Sequence, residues 1–230
     1  MTRGSGPGGA TLRPMRGALL DRDGVLLLMD EEALYKKALE LSIHGAGLEK
    51  TLAVLARAVR EINEVVRTLQ VRTLEEEATF WNTLAQKVAE ELGLSGPGKT
   101  SLSKELHSWR YYHFMRKAPG AEALLRSLKE QGLKVGVLSN TLPSLRESLA
   151  YHGLDAYVDG FFASCALGVA KPDPRAFQMA LEALGLAPEE TLYLDDDPEN
   201  VEVARRLGLR AEVYSPSWAT EPAPAFRQLP

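Results

Sequence analysis

The sequence predicts an α/β fold, a parallel sheet with helices on both faces, interrupted by an inserted all-helical module. Three observations predict it. Short, wholly apolar runs stop at acids or a serine, as strands buried on both faces do at a sheet edge. Amphipathic stretches of helical period alternate with those runs from residue 117 to about 213, the rhythm of strand–helix–strand units. Residues 28 to 116 break that rhythm with long helical patterns and no strand signal.

The elements follow in order. "GALLD" (17–21) reads as the first strand, and "LKVGVLSN" (133–140) as the second, preceded by the helix "GAEALLRSLKEQG" with glycine at its end. "TLPSLRESLAYHG" (141–153) is a helix closed by Gly153, and "GFFASC" (160–165) a third strand. "DPRAFQMALEALG" (173–185) is a helix, "TLYLDDD" (191–197) a strand stopping in acids, "PENVEVARRLG" (198–208) a helix with Pro198 near its start, and "LRAEVY" (209–214) a last strand. Inside the insert, Leu48, Leu52, Leu55, Val59, Ile62, Val66 and Leu69 recur at spacings of four and three, a heptad seam. A second insert helix (74–93) presents Phe80, Leu84 and Val88 on one face. The expected division is a disordered Gly/Pro/Ser leader at 1–14, a sheet domain of 15–27 with 117–230, and a helical domain of 28–116. Met15 is the expected functional start, and the Pro-rich end from Ser215 is expected to be irregular.

Composition narrows the function classes. With 45% hydrophobic and 25% charged residues, the chain has ordinary globular make-up. A net charge of −4 argues against nucleic acid or an anionic membrane as the main partner. No apolar run approaches the ~20 residues of a membrane helix, and the first residues lack a signal peptide's apolar region. The single cysteine, Cys165, excludes an internal disulfide, fits a reducing compartment such as the cytoplasm, and reads as a buried small hydrophobe. Four asparagines (Asn63, Asn82, Asn140, Asn200) are few, which leans toward a thermophilic source. The four histidines show no metal-site spacing.

Four stretches at strand ends carry chemistry, and the carboxyl edge of a parallel sheet is where such folds bind ligands. Asp21 and Asp23 lie two apart before Gly24, where the chain turns. One carboxylate can attack while the other moves protons; an Asp-Gly turn closing a strand is the plainer use. Asp195, Asp196 and Asp197 crowd negative charge that a cation would relieve, and oxygen ligands suit Mg²⁺. For Asp196 metal binding is favoured, whereas Asp197 before Pro198 suits an acidic helix start. Lys171, ahead of "PDP", can neutralise a phosphate or a carboxylate, or be a surface lysine. Ser139 can donate to a phosphate oxygen or cap a turn, with Asn140 and nearby helix-start amides as further donors.

Taken together, Asp-x-Asp-Gly, Ser-Asn, Lys-Pro and Asp-Asp in this order resemble the four motifs of the haloacid dehalogenase-like (HAD) hydrolase superfamily. The likeness covers residues 17–27 and 117 to about 213, with the helical insert where that superfamily carries a cap. "FFASCALGVAKPDPRAF" and "LYLDDDPENVEVARRLGL" are similar to the subgroup that includes the phosphatase domain of soluble epoxide hydrolase. The resemblance implies a Rossmann-like core and a Mg²⁺-dependent phosphatase. In it Asp21 is the nucleophile that forms an aspartyl-phosphate, and Asp23 is the general acid and base. Ser139 and Lys171, with Gly24 and Asn140, hold the phosphate. Asp21, the Asp23 carbonyl and Asp196 bind the metal. Asp195, standing where many relatives have glycine, and Asn200 act one layer behind. Because the superfamily's dehalogenases lack the second aspartate, Asp23 favours phosphatase; a phosphosugar mutase, a dehalogenase of the same superfamily or a non-catalytic binding scaffold are the other readings.

Strand alternation points Arg22 away from the two aspartates and gives it a structural role. "LLMDEE" and "FMRKAPG" are the expected hinges of the cap. "WRYYHFMR" (109–116) is expected to pack the insert, with contact to a leaving group as the sharper alternative. The partner implied is a small phosphorylated metabolite, whether sugar phosphate, phosphoglycolate, nucleotide or lipid phosphate. The chain is expected to be a monomer, or a homodimer formed through the heptad seam.

Overall fold

The computed structural model describes residues 14–43, 46–94 and 100–214, with side chains omitted at 100–103. The expected leader and the Pro-rich end lie outside these residues. Five parallel strands form the main sheet: β1 Gly17–Leu20, β4 Lys134–Ser139, β5 Gly160–Ala163, β6 Thr191–Asp195 and β7 Arg210–Val213. Their spatial order is β5-β4-β1-β6-β7. β1 runs between β4 and β6 in matched register, with Leu20 opposite both Val137 and Leu194.

Each sheet face buries its own core, which is why the strands read as unbroken apolar runs rather than alternating ones. Ala18, Leu20, Val135, Val137, Leu192 and Leu194 face α5 (Ala121–Glu130) and α6 (Leu145–Tyr151). Leu19, Leu138, Phe162 and Tyr193 face α8 (Pro174–Leu184) and α9 (Pro198–Arg206). Asp173 and Asp197 cap α8 and α9, each accepting from the amide two residues on, with proline at the first helical turn. For Asp197 this is the acidic helix start expected of it.

Three expectations need correcting. The stretch 28–116 does contain strand: β2 (Leu27–Met29) pairs antiparallel with β3 (Met115–Lys117), so the two expected hinges are one short ribbon. With three residues each, these strands are too short for a period-2 signal. β5 stops at Ala163, because Ser164–Leu167 turns into a one-turn helix, α7. The helix expected from residue 141 begins only at Leu145.

Between the ribbon strands lie α1 (Glu31–Ile43), α2 (Leu48–Thr68), α3 (Leu74–Glu91) and α4 (Thr100–Ser108). Thr73 and Glu76 form a reciprocal capping box at the start of α3. The buried face of α3 is Trp81, Leu84, Ala85, Val88 and Ala89, with Phe80 only half-buried at its side. The α2 seam does not form one buried stripe: Leu55 is buried and Leu52 exposed, while Val59, Ile62 and Val66 line a cavity. Buried Glu77 of α3 ties the insert to the core. It accepts from the Ser144 backbone amide and hydroxyl, and from the Trp81 indole at 3.0 Å. Among the described residues, no helix is long and apolar enough to cross a membrane.

Candidate active site

The three central strands deliver their polar ends to one place. β1 ends at Leu20, so Asp21 follows at the edge, its amide donating to the Leu194 carbonyl at 2.8 Å. β6 ends in Asp195 on one side and β4 in Ser139 on the other. β1 and β6 lie side by side and the chain leaves them for opposite halves of the sheet, which makes the gap between them the switch point where such sheets bind ligands.

Lys171 reaches this edge from the loop before α8. Its backbone is clamped by Asn140, whose side-chain oxygen accepts from the Lys171 amide and whose NH₂ donates to its carbonyl, both at 2.8 Å. The buried ammonium lies 2.9 Å from Asp21 and 2.6 Å from Asp195. Burial alone would lower its pKa, but the two carboxylates outweigh burial and raise it, so the lysine stays charged. Asp21 is the opposite case. Burial, reinforced by Asp195 and Asp23, outweighs Lys171 and pushes its carboxyl up to about 7. The Arg22 amide donates to it at 2.7 Å.

Asp195 is wholly buried and its carboxylate is spent on the protein. It accepts from Lys171, the Tyr193 hydroxyl, the Asn200 amide at 3.0 Å and the Asp197 backbone amide at 2.8 Å. Asp195, itself held by Asn200, thus braces the lysine. Asp196 is exposed, and partial desolvation together with Asp195 raises its pKa. Carboxylate oxygens of Asp21, Asp195 and Asp196 come within 4.8 Å of one another. An all-oxygen set short of positive charge fits Mg²⁺ in the chemistry of its donors.

Gly24 earns its place through this cluster. Its φ is +74°, and a Cβ there would sit 2.1 Å from an Asp196 carboxylate oxygen. Its role is therefore to admit Asp196. Ser139 has a fully buried hydroxyl with no hydrogen-bond partner among the described residues. A buried hydroxyl left this way costs about 1–3 kcal/mol, so the protein holds an unused donor beside Asp21.

Arg22 corrects the sequence reading. It does not point away from the aspartates: its guanidinium grips the Asp23 carboxylate at 3.0 and 2.8 Å. The strand ends at Leu20, so alternation no longer applies at residue 22. The buried Arg22 also donates to the Tyr111 hydroxyl, and Tyr111 stacks near Trp81 of the insert. Tyr111, inside the aromatic 109–116 stretch, is the residue sequence reasoning valued too little. One tyrosine and one arginine beside a half-buried acid leave no spacing signal; only the density of aromatic and cationic residues there marked it.

The sequence model of the family described as "haloacid dehalogenase-like hydrolase" matches residues 15–208. The chain belongs to this hydrolase family. It is 38% identical over 143 residues to Phosphatase MT3486 of Mycobacterium tuberculosis (strain CDC 1551 / Oshkosh), across 61% of this chain and 62% of that one. A phosphoserine phosphatase of Thermus thermophilus is 43% identical over 95 residues, 40% of this chain and 38% of that protein. The chain thus spans less than two thirds of either relative. In fold it resembles the HAD family enzyme bt-2542 from Bacteroides thetaiotaomicron, solved in complex with magnesium and inorganic phosphate. The TM-score is 0.60 at 19% identity, covering 92% of this chain and 98% of that one.

Proposed function

We propose that this hydrolase is a Mg²⁺-dependent phosphatase acting on a phosphate monoester through an aspartyl-phosphate on Asp21. The observation that carries this reading is the buried, unpartnered Ser139 hydroxyl at the same strand edge as Asp21 and the Lys171 ammonium. A nucleophile, a cation and a spare donor converging there suit a tetrahedral oxyanion.

Asp21 attacks phosphorus, and Asp23 gives its proton to the departing alkoxide oxygen. Water then attacks the aspartyl-phosphate while Asp23 takes the water's proton back, which restores both carboxyl groups. Ser139 and Lys171 hold the non-bridging oxygens through both halves. Asp195, braced by Tyr193 and Asn200, keeps Lys171 charged and aimed. Asp21, Asp196 and the Asp23 carbonyl would hold Mg²⁺, which supplies charge against carboxylate–phosphate repulsion. The Arg22 grip gives Asp23 one defined position. The helical insert acts as the cap over this edge, shielding the reaction from water.

The test is phosphate release from p-nitrophenyl phosphate and a broad ester panel, with and without Mg²⁺, for the native chain and Asp21→Asn. Metal-dependent release abolished by the substitution is the expected result. A folded native protein that hydrolyses none of the esters would turn the reading to a binding scaffold.

A further inference from the structure

Between the insert and the strand edge lies a cavity of about 260 Å³. Arg22, Asp23, Asn140 and Thr141 line it, which are neighbours in sequence of Asp21 and Ser139, so it opens onto the phosphate end of the proposed site. From these observations we infer that the leaving group of the ester is apolar, an alkyl, isoprenoid or aryl alcohol rather than a sugar, a nucleoside or an amino acid. The inference rests on the phosphatase reading above.

The argument is one of polar atoms and where they are spent. Most of the lining is aliphatic or aromatic, with Leu55, Val59, Ile62, Trp81, Leu84 and Trp109 among it. The polar groups present are engaged with protein. Asn140 clamps the Lys171 backbone, the Thr141 hydroxyl bonds that of Tyr111, Arg22 holds Asp23, and the Trp81 indole donates to Glu77. Asn63, whose side chain is exposed, and the partly buried Trp109 indole are the exceptions. Sugar or serine groups entering here would lose water and gain no partner, whereas a hydrocarbon loses nothing. The heptad seam thereby finds a use other than pairing two chains. An apolar cavity of about 150 Å³ takes benzene, so by proportion this one takes roughly ten carbons.

The test is a series of n-alkyl phosphates from ethyl to tetradecyl, kept below micelle formation, beside 1-naphthyl phosphate, glycerol 3-phosphate, O-phosphoserine and glucose 6-phosphate. We expect kcat/KM to climb about fourfold per methylene and to level near ten carbons, with the polar esters at least about a hundredfold below decyl phosphate. Ala58→Phe, which fills the cavity, moves the plateau to shorter chains; Ile62→Ala, which enlarges it, moves it to longer ones. A flat length dependence, a polar ester that matches decyl phosphate, or a plateau unmoved in the folded variants overturns the inference and leaves the phosphatase standing. If no ester at all is hydrolysed, the phosphatase reading falls first. Calorimetry of alkyl phosphates on the native chain with Mg²⁺ then decides the cavity, because affinity that does not rise with chain length overturns it.

Discussion

Ser139→Ala separates a fold residue from a ligand residue by the sign of its effect. The Ser139 hydroxyl is fully buried and makes no hydrogen bond among the described residues. Leaving such a group unsatisfied costs about 1–3 kcal/mol, and alanine removes it while keeping the Cβ. The strand pairing of residue 139 with Ala163 runs through the backbone and is untouched. Allowing for the one-atom void, the ligand-free protein should gain about 1–2 kcal/mol. For a chain of this size that is a rise in Tm of roughly 2–8 °C. With Mg²⁺ and inorganic phosphate the sign reverses. The variant lacks a hydrogen bond to a charged oxygen, about 1.5–3 kcal/mol, so phosphate should bind roughly 10- to 100-fold more weakly. Scanning calorimetry with and without phosphate reads both quantities. A Tm that falls in the phosphate-free variant would refute the reasoning, because it would mean the hydroxyl serves the fold.

In the metal-free protein, Asp21 has a pKa of about 7 against an ordinary 3.8. Its stabilising contribution is therefore complete below about pH 4 and lost as pH rises to 7, about 4 kcal/mol over that span. Urea unfolding in EDTA should show this loss for the native chain and a much flatter profile for Asp21→Asn; equal slopes would contradict it. Gly24→Ala forces a Cβ onto the Asp196 carboxylate. The Mg²⁺ concentration for half-maximal phosphate release should rise about 10- to 100-fold, with a stability loss of about 1–2 kcal/mol. An unchanged Mg²⁺ dependence would remove Asp196 from the metal set. Glu77→Ala strands the Ser144 amide and hydroxyl and the Trp81 indole, so denaturant unfolding should show a loss of about 3–5 kcal/mol. A loss below about 1 kcal/mol would mean the insert is held elsewhere.

What the sequence made legible follows from where each residue acts. The five core strands and α5, α8 and α9 were readable because burial on both sheet faces leaves apolar runs. The placement of Asp21, Ser139, Lys171 and Asp196 was readable because each sits at a strand end or in the loop beyond it, the edge where such sheets bind ligands. The ribbon of Leu27–Met29 and Met115–Lys117 was not, since three residues carry no period. Glu77 drew no reading, since it is one of three acids in a helix's first turn, and only the fold shows it meeting Ser144, 67 residues on. Arg22 was misjudged because alternation was extended past the last strand residue. The cavity was hidden for a related reason: Leu55, Val59 and Ile62 look the same whether a helix covers a partner or roofs a pocket.

The charges of the site then decide what it is built to receive. Asp21, Asp195 and Asp196 place three carboxylates within 4.8 Å, against the single ammonium of Lys171. Asp23 does not add to the excess, because Arg22 is bound to it. Three less one leaves two negative charges, the amount a divalent cation neutralises; burial is the main reason the Asp21 carboxyl is raised, and Asp195 and Asp23 add to it. Once it is neutralised, the edge has no net charge of its own to repel a phosphate, while Ser139 and Lys171 still have donors to offer. The cavity beyond has few, Asn63 and the Trp109 indole at most. A molecule with a phosphate at one end and hydrocarbon at the other meets both conditions, and a sugar phosphate meets only the first.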